Sequence, residues 1–415
     1  MELKIEGISH NGEGVARNEG KVIFVPYAIP GEIVQADIVE VKKNYSRSLL
    51  KKVIKQSPDR IEPKCPYYYK CGGCSYQHIN YNQQLLFKKD ITKETINRIG
   101  GIETTVLDAI GMQEPWNYRN KVLWHIIDSH DGKKMGFYSY HSKQLIEIDS
   151  CPLLLPKLNR ISSLIKDMLP QIHLEGDGSI MLRQSNYSNQ MMLEFINCFA
   201  DQEILNKLSL KVDSIYENRN SKTKLLAGQR LIKEKAGKCY FLLGVDDFFQ
   251  VNAKQTEIMI ETVSQFLNIE RKNRLLDAYC GAGMFALNVA DNVMSVLGID
   301  ANFSAIKNAR KNAELNGIVN CQFISGFCED ILSDKKTSFD RIIVDPPRTG
   351  LKPKVISSLI ETYPDIITYV SCNPATLARD LKQFVLNEYR VLTVQPIDMF
   401  PQTSHIENIV LLQRR

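Results

Sequence analysis

"LLDAYCGAGMFA", residues 275–286, decides how the C-terminal part of the chain folds. A hydrophobic strand runs into Gly281-x-Gly283-x-x-Ala286, and helical sequence follows. Strand, glycine turn and helix in that order are the opening unit of a doubly wound α/β sheet, whose ligands bind beyond the strands' carboxyl ends. On spacing alone the loop matches a dinucleotide site, with Asp300 at the end of the next strand placed to hold ribose hydroxyls. Its charge points elsewhere. No Lys or Arg occurs from Leu275 through Ile306, whereas Asp277, Asp291 and Asp300 do. A pyrophosphate can rest on a helix N-terminus alone, but an acidic loop better suits a cation. S-adenosylmethionine (AdoMet), which carries a sulfonium and an ammonium, is therefore the expected ligand ahead of NAD; a tight turn with no ligand is the bland reading.

Outward from this loop the same rhythm continues. "SVLGID", "CQFISG", "FDRIIVD" and "DIITYVSC" read as strands separated by helices, one of which carries Ala305, Ala309 and Ala313 on one face and stops at Gly317. Residues 246–415 are expected to form a Rossmann-like domain. At the other end, "LKIEGIS", "GVAR", "KVIFVPY" and "EIVQADIVEV" alternate apolar and polar positions between glycine turns, which predicts an OB-like β-barrel over residues 1–57. Residues 58–245 are expected to form an α+β central domain, with helical spacing near 76–99 and 157–168. The fold class is thus multidomain α/β.

Composition is that of a globular protein, 44% hydrophobic and 24% charged. No apolar run reaches the roughly 20 residues that span a bilayer, and the N-terminus lacks a signal core. A cytoplasmic location, no membrane and no obligate protein partner are expected. Net charge is +5, yet the stretch from Lys42 to Lys70 alone carries +7, with Tyr45, Tyr67, Tyr68 and Tyr69 among its basic residues. Such a stripe fits a polyanion, with rings able to stack on bases; a solvated strand face is the alternative.

"FDRIIVDPPRTG" (339–350) and "YVSCNPATLARD" (369–380) bring Asp345 and Cys372 to neighbouring strand ends. An aromatic after Asp-Pro-Pro would suggest adenine N6 methylation; Arg348 stands there instead. Cys372 is either a packed small hydrophobe or a nucleophile. The helix N-terminus beside it would draw the thiol from ~8.5 towards the ~3.5–7.5 range of reactive cysteines. Next to a methyl donor a thiolate has a specific use. Adding to carbon 6 of a pyrimidine, it makes carbon 5 an enolate nucleophile, after which a base must remove the carbon 5 hydrogen. Glu407, just before the last hydrophobic strand, has the acidity and reach for that task. His405 beside it suits packing or substrate contact.

Taken together, "FFQVN" (248–252), "DAYCGAG" (277–283), "DPPRTG", "SCNPATLARD" and "FPQTSHIENIVLL" (400–412) resemble the ordered motifs of the RNA uracil-C5 methyltransferase family. The N-terminal barrel resembles a TRAM domain, found in the ribosomal-RNA branch; the transfer-RNA branch usually lacks both that barrel and the cysteine cluster described next. The resemblance implies that Cys372 is the nucleophile and Glu407 the proton acceptor. It also implies that Gln250, Tyr279, Asp300 and Asp345 contact AdoMet, Asp345 lying near the target base as well.

"CPYYYKCGGC" gives Cys65-x5-Cys71-x2-Cys74, and Cys151 precedes a proline further on. By spacing, these four could bind zinc or a [4Fe–4S] cluster; the resemblance implies [4Fe–4S]. The expected reaction is methyl transfer from AdoMet to carbon 5 of uridines in 23S ribosomal RNA, the target base leaving its stack. "WNYRNK" (116–121) is a candidate RNA contact. A transfer-RNA methyltransferase, a catalytically silent RNA chaperone and a nicotinamide oxidoreductase are the rival readings.

Overall fold

The computed structural model of the chain describes residues 1–140, 142–334 and 338–415. Its N-terminal unit is a six-stranded barrel in which Glu2–Lys4, Ile33–Val41, Tyr45–Lys55, Lys21–Val25, Gly14–Asn18 and Gly7–Ile8 follow one another around the sheet. The first segment closes it. Residues 2–4 pair with 33–35 at one edge, and residues 7–8 pair with 14–15 at the other. Leu3, Ile5, Ala16, Ile23, Val25, Val34 and Ala36 fill the interior, as the two-residue side-chain period of a strand requires.

The central unit is a seven-stranded sheet whose long strands Lys121–Ser129, Ile172–Gln184 and Met191–Ala200 carry the core. Helix Pro156–Asp167 covers it; the Trp124 indole donates to Ser162 Oγ at 2.7 Å from within that core.

The C-terminal sheet has eight strands: β1 (Thr105–Val106), β2 (Arg274–Ala278), β3 (Ser295–Asp300), β4 (Cys321–Ser325), β5 (Arg341–Val344), β6 (Ile366–Ser371), β7 (Tyr389–Ile397) and β8 (Glu407–Arg414). They lie in the order β4-β3-β2-β5-β6-β8-β7-β1. Pairs from β4 to β6 are parallel, and β8 runs antiparallel to both β6 and β7. The sheet is buried on both faces, so Ile342, Ile343, Val344, Ile367, Tyr369 and Val370 read as continuous hydrophobic runs. One strand comes from far away. β1, together with helix Tyr81–Thr95, belongs to the stretch that sequence reading assigns to the central domain, yet it pairs with β7, and the helix packs against helix Pro374–Leu386.

That helix is tied to the loop between β7 and β8 by a buried ion pair. Lys88 Nζ lies 2.5 Å from Asp398 Oδ1, both side chains wholly buried, and Tyr81 Oη donates to Asp398 Oδ2 at 2.8 Å. Burial lowers the Lys88 pKa, and the Asp398 charge opposes that. Among the described residues, no helix is long and apolar enough to cross a membrane.

Removing one member of a buried pair strands the other charge in a low dielectric. Lys88→Met is therefore expected to cost about 3–5 kcal/mol in urea unfolding, and the double variant K88M/D398L to recover most of that loss. A Lys88→Met protein with an unchanged urea midpoint would show that the pair does not hold this joint.

Candidate active site

The glycine loop leaves β2 through Tyr279, which adopts left-handed φ of 67°, and turns into helix Met284–Val289 at Gly283. Gly283 has φ of 86°, and a Cβ there would come within 3.1 Å of the Phe323 ring, so the position demands glycine on two counts. Asp300 braces the loop, its carboxylate accepting from Gly281 N–H at 2.9 Å and Asn302 N–H at 2.8 Å. Asp277 accepts from Ala286 N–H at 3.0 Å through one oxygen, while its other oxygen, Oδ1, is buried without a partner. Burial, helped by the neighbouring Asp300, pushes Asp277 up to about 8 and Asp345 up to about 7. The loop is short of positive charge, and a cation would relieve it.

Asp345 continues this acidic line. It follows β5, and its N–H donates to Ala278 O at 3.4 Å across to β2. Asp345 and Glu407 are electrostatically coupled, and Glu407, 5% exposed at the start of β8, is raised well above the usual carboxylate range by burial and by Asp345. Cys372 lies next, just beyond β6. Ser371 Oγ accepts from Asn373 N–H, and Asn373 Oδ1 caps the following helix through Ala375 N–H at 3.0 Å.

The expectation that the helix N-terminus lowers the Cys372 thiol is corrected here. Burial first, and then the Glu407 carboxylate, push it up to about 11; Arg348 opposes them. A helix end contributes about 0.3–1 kcal/mol in most settings, too little against desolvation.

Arg348, which sequence reading used only to set aside adenine methylation, emerges as a member of the site. Its Nη2 lies 3.3 Å from His405 Nδ1, and it also hydrogen-bonds Cys372. Burial and Arg348 bring the His405 imidazole down to about 4. It is then neutral at pH 7, with Nδ1 accepting from Arg348 and the proton left on Nε2. Asp380 holds the Arg348 loop, accepting from Leu351 N–H at 2.7 Å and Tyr369 Oη at 2.8 Å. Only the arginine after Asp-Pro-Pro signals this role in the sequence.

Cys372, Arg348 and His405 open on a cavity of about 340 Å³. Tyr279 is coupled to Asp300 on the cofactor side. Gln250 stands apart: it is buried beside helix Ala253–Leu267, and among the described residues no hydrogen bond joins it to Asp277, Asp300 or Asp345. Of "WNYRNK", Tyr118 turns inward, while Trp116, Arg119 and Lys121 stay half-buried and Asn117 is exposed. Tyr118 is buried with its hydroxyl on Pro401 O at 3.0 Å, and burial brings Lys121 down to about 8. Lys64 lies over the Trp116 ring at 5.0 Å.

Cys65, Cys71, Cys74 and Cys151 converge from two parts of the chain. Each is electrostatically coupled to the others, all are raised by burial, and none is in a disulfide. Among the described residues, no three His, Cys, Asp or Glu side chains close around one point as a single metal ion requires.

Comparison with known proteins places these features in context. Residues 80–415 match the family described as tRNA (uracil-5-)-methyltransferase, and residues 1–51 match the TRAM domain. An uncharacterized RNA methyltransferase of Clostridium acetobutylicum is 36% identical, over 100% of this chain and 96% of its own length. Another, from Halalkalibacterium halodurans, is 34% identical over 100% and 96%. The crystal structure of Pyrococcus abyssi tRNA (uracil-54, C5)-methyltransferase, in complex with S-adenosyl-L-homocysteine, superposes with a TM-score of 0.79. It has 28% identity and covers 99% of both chains.

A thiol at about 11 holds roughly a hundredfold less thiolate at neutral pH than an ordinary cysteine. Because a thiolate of higher pKa is also the better nucleophile, alkylation of Cys372 by iodoacetamide at pH 7.5, followed by mass spectrometry, should run about tenfold slower than that of glutathione. Modification at an equal or greater rate would contradict the electrostatics described here.

Proposed function

This chain belongs to the tRNA (uracil-5-)-methyltransferase family, and from that premise we propose that it transfers a methyl group from AdoMet to carbon 5 of uridines in 23S ribosomal RNA. The single observation that carries the chemistry is the convergence of Cys372, Glu407, Arg348 and Asp345 at one sheet edge, where Cys372 and Arg348 open on the cavity and the carboxylates of buried Glu407 and of Asp345 act on Cys372 from behind it. Asp277, Asp300, Asp345 and Tyr279 would hold AdoMet, with Gln250 a further contact implied by the family's motifs. The orphaned Asp277 oxygen and the absence of Lys and Arg from 275–306 fit its cationic groups. When bound, AdoMet supplies an electrophilic methyl group.

The chain's own residues do the rest. Cys372 gives its proton to solvent water and adds through sulfur to carbon 6, sending an electron pair towards the carbon 4 carbonyl, so that carbon 5 can attack the methyl group as that carbonyl re-forms. Carbon 5 then bears both methyl and hydrogen. Glu407 removes that hydrogen as a proton; the freed pair restores the ring double bond and expels the Cys372 sulfur. A carboxylate raised by burial is a strong base once ionised, which suits a carbon acid. Arg348 steadies both anions.

The ribosomal assignment draws on the combination of barrel and cysteine cluster. The Pyrococcus enzyme, a transfer-RNA enzyme by name, superposes on this chain along its whole length, so possession of the barrel alone does not separate the branches. Transfer RNA is therefore the second reading. A nicotinamide enzyme is set aside by the family match. Cys65, Cys71, Cys74 and Cys151 would hold a [4Fe–4S] cluster, whose support is their spacing and their electrostatic proximity; the methylation itself needs no electron.

Ribosomal and transfer RNA from cells lacking 5-methyluridine, offered separately with AdoMet, should distinguish the substrates: methyl incorporation into 23S RNA is expected. 5-Fluorouridine RNA should form a covalent adduct with the protein that disappears in Cys372→Ala. Glu407→Gln should still form the adduct on ordinary RNA yet release product at least about 100-fold more slowly. Methylation at the wild-type rate by Cys372→Ala would sink the reading.

AdoMet binding carries its own signature. In the free protein Asp277 and Asp345 are partly protonated at neutral pH, and a bound cation favours their ionised forms. AdoMet should thus bind with proton release, its affinity rising about tenfold or more from pH 6 to pH 8.5 and levelling off above. Calorimetry in buffers of different ionisation enthalpy measures this; a pH-independent affinity would contradict it.

A further inference from the structure

The cavity around Cys372 is walled in part by the N-terminal barrel, a unit so far needed only as a general grip on RNA. His10 and Asn11, at the tip of the hairpin joining Gly7–Ile8 to Gly14–Asn18, line it together with Arg348, Cys372 and His405. The tip is rigid. Ser9 N–H donates to Glu13 O at 2.8 Å, Gly12 N–H donates to Ser9 O at 2.9 Å, and Ser9 Oγ accepts from Glu13 N–H at 3.1 Å. Gly12 has φ of 86°, and a Cβ there would lie 2.8 Å from Tyr76 Cε1 and 3.0 Å from Ser404 Cβ. The hairpin is thus seated against both the cysteine segment and the loop that carries His405. Buried Glu13 pairs with Arg47 at 3.3 Å, fixing the base of the hairpin to the basic strand. Against this fixed frame, the His10 and Asn11 side chains are exposed and make no hydrogen bond among the described residues.

We infer that His10 and Asn11 read the base of a nucleotide adjacent to the target uridine, so that the barrel sets the sequence specificity of the reaction. The inference rests on the RNA uracil-C5 reading given above. The target ring must lie over Cys372 and within reach of Glu407, both of the C-terminal unit. What a second domain meets in the same cavity is the continuation of the strand: sugar, phosphate and the next base. Neutralising a phosphate takes lysine or arginine, and the tip has neither; the barrel's nine such residues lie outside it, four of them on strand Tyr45–Lys55. An asparagine amide presents a donor beside an acceptor, the pattern that pairs with a base edge, and an imidazole adds a ring that can stack on an unpaired base.

The test uses a pool of hairpin RNAs with one 5-fluorouridine in the loop and two randomised nucleotides on each side. RNA captured covalently in the presence of AdoMet is sequenced for the wild-type protein and for the double variant H10A/N11A. The wild-type protein should prefer one nucleotide at a flanking position by about tenfold or more. The variant, with an unchanged melting temperature, should lose that preference while keeping any at other positions. If the wild-type protein captures no RNA, the uracil-C5 reading itself fails. If it captures RNA and the variant keeps the same flanking preference, or loses capture evenly across all sequences, only the inference about the hairpin is overturned.

Discussion

The site depends on how the nine residues between β7 and β8 are held. This loop, from Asp398 to Ile406 and on into Glu407, has no regular structure of its own, yet it must set a general base and an imidazole beside Cys372. Its first residue is fixed by the buried Lys88 ammonium and the Tyr81 hydroxyl. Its middle is clasped by Gln84, whose amide exchanges hydrogen bonds with Gln402, and by Ser75 and Tyr76, whose N–H groups donate to Gln402 O at 3.2 and 3.0 Å. Its end joins the sheet through β8, where Thr92 donates to Asn408 Oδ1 at 2.9 Å. A buried ion pair adds little net stability over apolar packing but penalises every arrangement that separates it. Here that penalty falls on any displacement of the loop.

These anchors explain why helix Tyr81–Thr95 sits with the C-terminal sheet although the long central domain intervenes in the chain. Its inner face carries Gln84, Lys88 and Thr92, three polar residues at helical spacing, and each is buried because each has a partner across the interface. The cysteine segment is drawn into the same joint. Gly72 N–H donates to Tyr138 O of the central sheet, and Ser75 Oγ accepts from Ser404 N–H at 2.8 Å. Barrel, central sheet and catalytic sheet therefore meet at one place.

Much of this was legible in the chain. The glycine loop, the position of Cys372 past a buried strand and the alternation of strands and helices are local patterns, set by side-chain periodicity and turn chemistry, and local patterns survive into the fold. The partners of Arg348 are not local: His405 lies 57 residues away, and nothing in the intervening sequence marks the contact. The hairpin tip is a harder case, since a histidine and an asparagine in a turn look like ordinary turn chemistry until a cavity is seen beside them. Tyr118 runs in the opposite sense. An aromatic beside basic residues suits an RNA surface, but the same side chain serves a domain junction where it is buried and its hydroxyl finds a carbonyl.

The direction of the Cys372 shift carries the most mechanistic weight. Burial raises both Cys372 and Glu407, and Asp345 raises each further, so three acids compete for few negative charges at neutral pH. Arg348 lowers Cys372 and Glu407 and also keeps His405 unprotonated. One guanidinium thus stabilises whichever anion the reaction requires, first sulfur, then carboxylate, without changing its own protonation. A histidine cation in that place could release its proton and end the support; a lysine would offer a point charge in place of a planar fork able to face sulfur and imidazole together. A resting thiol that stays protonated until the acceptor ring stands beside it is also shielded from oxidation and alkylation. The high resting value therefore belongs to a nucleophile held in reserve, and the cost of raising it is met by the acceptor ring, which takes up the sulfur's electron pair.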